Sequence, residues 1–131
     1  MSNLNLTASI AWLNAHAHAA SQSKCAVNVR LALQAGGVDI PPVAARNFAK
    51  NYGPLLLAQN FTEVTRGAPS SPQKGDIVVI QPYPGGNIAG HIAMYNGHQW
   101  VSDFRQIDMW GGPGYRSNKP PFKIYRSQGA E

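Results

Sequence analysis

The run Ser21-Gln22-Ser23-Lys24-Cys25-Ala26-Val27-Asn28-Val29-Arg30-Leu31-Ala32-Leu33 contains the only cysteine of the chain, and the reading of the rest follows from it. Ser23 is suited to cap a helix. Cys25 then falls in the first turn, and Val29 and Leu33 follow at four-residue steps, the apolar spacing of a helix that faces a core. A thiol in that turn meets the positive end of the helix dipole, which lowers a cysteine pKa and favours the nucleophilic thiolate. A lone cysteine is more often a small buried hydrophobe, so the reactive reading depends on what the remainder of the chain supplies.

Upstream, Asn5 or Thr7 can cap a first helix reaching His18, with Ile10, Leu13 and Ala17 as its inner stripe. Downstream, Gly36-Gly37 ends the cysteine helix. Pro41-Pro42 opens a third helical stretch, Val43 to Asn51, which Gly53-Pro54 stops. Leu55-Leu56-Leu57 fits either helix or strand. Phe61 to Thr65 alternates like a short strand, and the Gly67 to Pro72 run is a loop. Four strands follow in sequence: Asp76 to Gln81, His91 to Tyr95, Gln99 to Phe104 and Phe122 to Arg126. Asn96-Gly97 predicts a hairpin between the second and third of these. Helices first and strands afterwards give an α+β order, with N-terminal helices packed on an antiparallel sheet.

The 131 residues are expected to form one domain, 1–131, with 44% hydrophobic residues for its core. One cysteine excludes a disulfide framework and a cysteine-rich zinc site, and no cofactor or metal is expected. The N-terminus lacks a basic region ahead of its apolar residues, and Asn14, His16 and His18 interrupt those residues. The expectation is therefore a chain made in the cytoplasm without a secretory signal and without membrane insertion. Eleven basic against six acidic residues give a formal charge of +5, which favours a polyanionic partner. The basic residues are scattered, with no cluster resembling a nucleic-acid footprint; an anionic wall polymer fits better than nucleic acid.

A nucleophilic cysteine needs a base, and His91 is the best placed of four histidines, following Gly90 at the start of an apolar strand. His16 and His18 lie two apart on a helix and point to different faces, and His98 falls at the hairpin turn. Asp103, on the partner strand of the predicted hairpin, comes out roughly opposite His91 and could hold the imidazole in its useful tautomer. Trp110 and Tyr115, on a glycine-rich stretch, could wall a substrate groove.

Cys25 opening a helix, then Lys74-Gly75-Asp76-Ile77-Val78-Val79, then Gly90-His91-Ile92-Ala93-Met94-Tyr95, resembles the NlpC/P60 and CHAP families of papain-like peptidoglycan peptidases and amidases. The similarity runs from Ser21 to Phe104. It implies a papain-like fold in which Cys25 is the nucleophile, His91 the general base and Asp103 the orienting residue. Gln22 or Ser23 would then assist the Cys25 backbone N–H in binding the oxyanion and contacting substrate. The sequence departs from the family in carrying Ser23-Lys24 before the cysteine. Short length and the absent signal make the chain look most like a type VI secretion amidase effector. Such an effector is injected into a rival's periplasm, cuts an amide bond of the peptidoglycan peptide stem or crosslink, and is paired with a cognate immunity protein, with a secretion-apparatus component as a further expected partner. A phage-type lysin and a non-catalytic wall- or tail-binding domain on the same fold are the alternatives.

Overall fold

The computed structural model describes residues 3–21, 24–40, 48–67 and 69–130. Helix α1, Leu6–Ala15, starts at Asn5, whose side chain accepts the Ala8 N–H at 3.0 Å. It stops at Ala15, short of the expected His18. Helix α2, Cys25–Ala35, buries Ala26, Val29, Ala32 and Leu33, the stripe expected of a core-facing helix. The expected cap Ser23 lies outside the described residues, as does most of the stretch expected as a third helix from Val43.

Ala49–Asn51 is a turn of 3-10 helix that runs directly into α3, Tyr52–Leu57. Gly53-Pro54 therefore begins a helix where the sequence suggested an end. Proline is tolerated in a first turn because its missing N–H would have no acceptor there. Leu55 to Leu57 resolve as helical.

Among the described residues, five strands form one antiparallel sheet: β1 Phe61–Glu63, β2 Ile77–Ile80, β3 His91–Tyr95, β4 Trp100–Val101 and β5 Phe122–Ser127, in spatial order β1-β5-β2-β3-β4. All four residues of β2 are buried because the sheet is covered on both faces. Ile77 and Val79 join Ile92 and Met94 under the helices, whereas Val78 and Ile80 join Ala93, Trp100 and Ile124 on the other side. Burying a Val or Ile contributes about 1.5–3 kcal/mol relative to exposure, so β2 is the anchor of both cores. That other face is closed by Met109, Trp110, Tyr115 and Phe122, in or beside the segment that carries α4, Pro113–Asn118.

The "GDIV" aspartate is structural. Asp76 is wholly buried, pairs with Arg126 of β5 through two bonds of 2.8 Å, and accepts the Gln73 N–H at 2.8 Å.

The hairpin joining β3 to β4 forms as expected. The Asn96 side chain accepts the N–H groups of His98 and Gln99, both at 2.9 Å, and Gly97 takes φ +103°. Strand β4 is much shorter than the expected Gln99 to Phe104, however. Val101 stands opposite Met94, and two further steps in that register would set Asp103 against Ile92 rather than His91. The chain leaves the sheet first, turning back so that the Gln106 N–H bonds the Trp100 carbonyl at 2.9 Å.

Candidate active site

Cys25 is the first residue of α2 and sits where that helix meets the start of β3. Because β4 ends at Val101, the edge of β3 is open beside Ile92, and the Cys25 thiol reaches that backbone. Backbone groups of Ile92, Ala26 and Cys25 itself favour the thiolate, as a helix start should. Burial outweighs them, and with the nearby Asp103 charge it pushes the thiol above the free-cysteine range. The sequence expectation of a lowered thiol pKa is thereby reversed: desolvation costs the anion more than the helix end returns.

His91 opens β3 and is only 8% exposed. Gly90 before it takes φ +74°, and a Cβ there would overlap the Ile80 carbonyl oxygen, so only glycine lets the chain enter the strand this closely. Burial lowers the imidazole pKa, partly offset by the bond to Gln106 and the charge of Asp103. The resting pair is therefore a neutral thiol and a neutral imidazole.

The side chain bonded to the His91 ring is Gln106, whose Oε1 lies 2.7 Å from His91 Nε2. Gln106 is 2% exposed, and its Nε2 donates to the carbonyls of Asp108 at 2.9 Å and Met109 at 3.3 Å. Turning the amide over would set oxygen against two carbonyl oxygens. The network therefore assigns Oε1 as the acceptor, Nε2 of His91 as the protonated nitrogen, and Nδ1 as the free lone pair. Gly111, at φ +83°, lies over this bond. A Cβ there would come within 2.8 Å of His91 Nε2 and 3.1 Å of the Gln106 amide carbon. Asp108 braces the loop, accepting the Trp110 and Gly111 N–H groups and pairing with Arg116 at 2.7 Å.

Asp103 was expected on the imidazole. It is buried instead at the foot of α2, where its Oδ2 accepts the Lys24 backbone N–H at 2.9 Å. Its charge still reaches both Cys25 and His91.

Cys25, His91 and Tyr115 line one cleft of about 270 Å³ with Ser21, Lys24 and Asn87. A second lobe of about 250 Å³ shares Ser21, His91 and Tyr115 and continues over Tyr83, Phe104 and Gly112. The Tyr115 ring lies 5.6 Å from His91 and 4.9 Å from Tyr83. Burial, together with the Cys25 and Tyr83 charges, pushes its phenol up to about 12, so the hydroxyl stays protonated. Trp110, expected in the groove, packs edge-on against Phe122 at 5.4 Å in the core behind the sheet. Gln22 and Ser23, the other expected substrate contacts, lie outside the described residues.

Sequence reasoning missed Gln106, Gly111 and Tyr83. Gln106 had no local signal, because its place depends on the turn that cuts β4 short. Among the described residues no group of three or more His, Cys, Asp or Glu side chains is assembled to hold a metal ion.

No protein-family model and no curated protein matches the chain. Two solved structures do. The native type VI effector–immunity complex Tae3–Tai3 from Ralstonia pickettii contains a chain 39% identical, with a TM-score of 0.83 over 95% of this chain and 99% of that one. The selenomethionine form of the same complex matches at 40% identity and a TM-score of 0.79, over 90% and 98% of the two chains. With that identity sustained over nearly the full length of both chains, this chain belongs to the family of the type VI effector Tae3.

Proposed function

We propose that the chain is an antibacterial cysteine amidase that hydrolyses an amide bond in the peptide stem or crosslink of peptidoglycan. The observation that carries the reading is the joining of Cys25 and His91 in one cleft, with the imidazole tautomer fixed by Gln106. His91 Nδ1 takes the thiol proton as Cys25 Sγ attacks the carbonyl carbon. The negative oxygen of the tetrahedral intermediate is received by the Cys25 backbone N–H, which as the first of the helix has no intrahelical acceptor. Collapse breaks the C–N bond, the imidazolium gives its proton to the leaving amine, and a thioester remains on Cys25. Water, deprotonated by His91, then releases the acid and restores the thiol. Gln106 takes the orienting role first expected of Asp103, and Tyr115 walls the groove.

The helix-borne cysteine and the strand-borne histidine support kinship with the NlpC/P60 and CHAP enzymes. The effector name of the relatives favours a type VI toxin over a phage lysin. Both relatives were crystallised as effector–immunity complexes, which supports a cognate immunity protein as partner. The site of action on this reading is the periplasm of a target cell, and the +5 charge would favour association with the anionic wall. No helix among the described residues is long and apolar enough to cross a membrane.

The test is digestion of purified sacculi followed by mass analysis of the muropeptides. Cleavage at one amide bond, absent with Cys25→Ala, is expected. Cleavage that persists in the variant removes Cys25 from the chemistry, and no cleavage by the wild type favours the wall-binding alternative.

A further inference from the structure

We propose that Asp103 is a positioning residue for the nucleophile: its buried carboxylate holds the backbone at the entry to α2, and its charge bears on both Cys25 and His91. The inference rests on the reading of those two residues as the reacting pair. Asp103 is 1% exposed and lies 79 positions from Lys24 in sequence, yet its Oδ2 accepts the Lys24 N–H at 2.9 Å. Lys24 makes no side-chain cap of its own, so a distant carboxylate serves the helix start on which Cys25 sits. The Ser102 hydroxyl donates to Oδ1 at 3.3 Å and steadies the carboxylate.

The main chain adds a second tie. The His18 N–H donates to the Asp103 carbonyl at 2.9 Å, and the Arg105 N–H donates to the His18 carbonyl at 3.1 Å. The segment leading to Cys25 is thus stitched to the same turn that delivers Gln106 to the histidine. One short stretch, Asp103 to Gln106, sets both halves of the pair.

The charge acts on the two halves with opposite consequences. A carboxylate beside a thiol disfavours the thiolate, and beside an imidazole it favours the imidazolium. Asp103 therefore adds to the burial that keeps the resting thiol protonated, and it supports the imidazolium that must protonate the leaving amine. Among the described residues, Tyr115 and Tyr52, the latter next to Arg30, also bear on Cys25, Lys24 lines the same cleft, and Gln106 is the uncharged partner on His91.

The test compares iodoacetamide alkylation of Cys25 with turnover of muropeptides, each as a function of pH, in wild type and Asp103→Asn. The amide keeps an acceptor for the Lys24 N–H and removes the charge. Alkylation at pH 7 should become at least about threefold faster, with its pH midpoint moved down, while turnover falls by a similar factor or more. Asp103→Ser, small and neutral, serves if the first variant does not fold. A merely structural role would change the limiting alkylation rate at high pH, where the thiol is fully ionised and only access matters, and leave the midpoint in place; that result, or an unmoved alkylation profile, overturns the proposal. Cys25→Ala is assayed alongside. Turnover retained there would remove the nucleophile reading, while the alkylation comparison, which needs only the thiol, would still judge Asp103.

Discussion

Replacing Gln106 with alanine isolates the bond that fixes the histidine. The side chain is almost wholly buried and satisfies three polar groups: the His91 Nε2–H and the carbonyls of Asp108 and Met109. Each group left unpaired in the interior costs about 1–3 kcal/mol, but the two carbonyls are weakly penalised acceptors near a loop that can take up water. The sum is set mainly by the orphaned ring N–H and the space vacated, about 3 kcal/mol in all. In a chain of this length that is a fall in Tm of roughly 10 °C. The catalytic loss is separate. Without the acceptor on Nε2, the ring is free to turn and to carry its proton on Nδ1, where it cannot serve as base, and kcat should fall about ten- to hundredfold. KM should hold, because Gln106 does not line either lobe of the cleft. Steady-state kinetics on a purified crosslinked muropeptide, run well below the lowered Tm, measures both constants. An unchanged kcat would refute the assignment of Gln106, and a change confined to KM would place it in substrate binding instead.

Three further outcomes are expected. Because burial lowers the His91 pKa, its neutral form persists below the usual imidazole range; kcat/KM should rise with pH through a limb below about 6.5, while alkylation of the free thiol titrates above the ordinary cysteine range. A pH–rate curve that tracked thiol ionisation would contradict the neutral resting pair. Asp76→Ala should cost about 2–3 kcal/mol by denaturant titration, at or below the lower end for a broken buried pair because the Arg126 side chain left behind is 28% exposed and can rehydrate; a loss under 1 kcal/mol would mean that the pair contributes little. Expression in the cytoplasm of a Gram-negative host should be tolerated, whereas the same chain exported by a Sec signal should lyse the cell in a Cys25-dependent way; equal toxicity in both compartments would point to a cytoplasmic target.

The sequence carried the fold where pattern and physics coincide. Val29 and Leu33 place one face of α2 in the core and Asn96-Gly97 makes the hairpin, whereas the unbroken apolar run of β2 marked a strand without showing that its residues divide between two cores. The places of Cys25 and His91 at the start of a helix and of a strand were legible, because element starts are marked by local signals. Asp103 and Gln106 were not separable. Counting along an ideal hairpin assumes that β4 continues, and the turn after Val101 shifts every residue beyond it. Trp110 was misplaced for a related reason: an aromatic beside glycines can cap a core edge or line a groove, and only the packing against Phe122 decides. The thiol pKa was misjudged because a helix start is visible in sequence and desolvation is not.

The central claim is that an acyl group passes through Cys25. Mixing the protein with crosslinked muropeptide, quenching in acid during turnover and measuring the intact protein mass tests it directly. A mass increase equal to the acyl half of the substrate is expected, located on Cys25 by peptide mapping and missing from Cys25→Ala. Steady turnover that survives in Cys25→Ala, or an acyl group found on another residue, would contradict it.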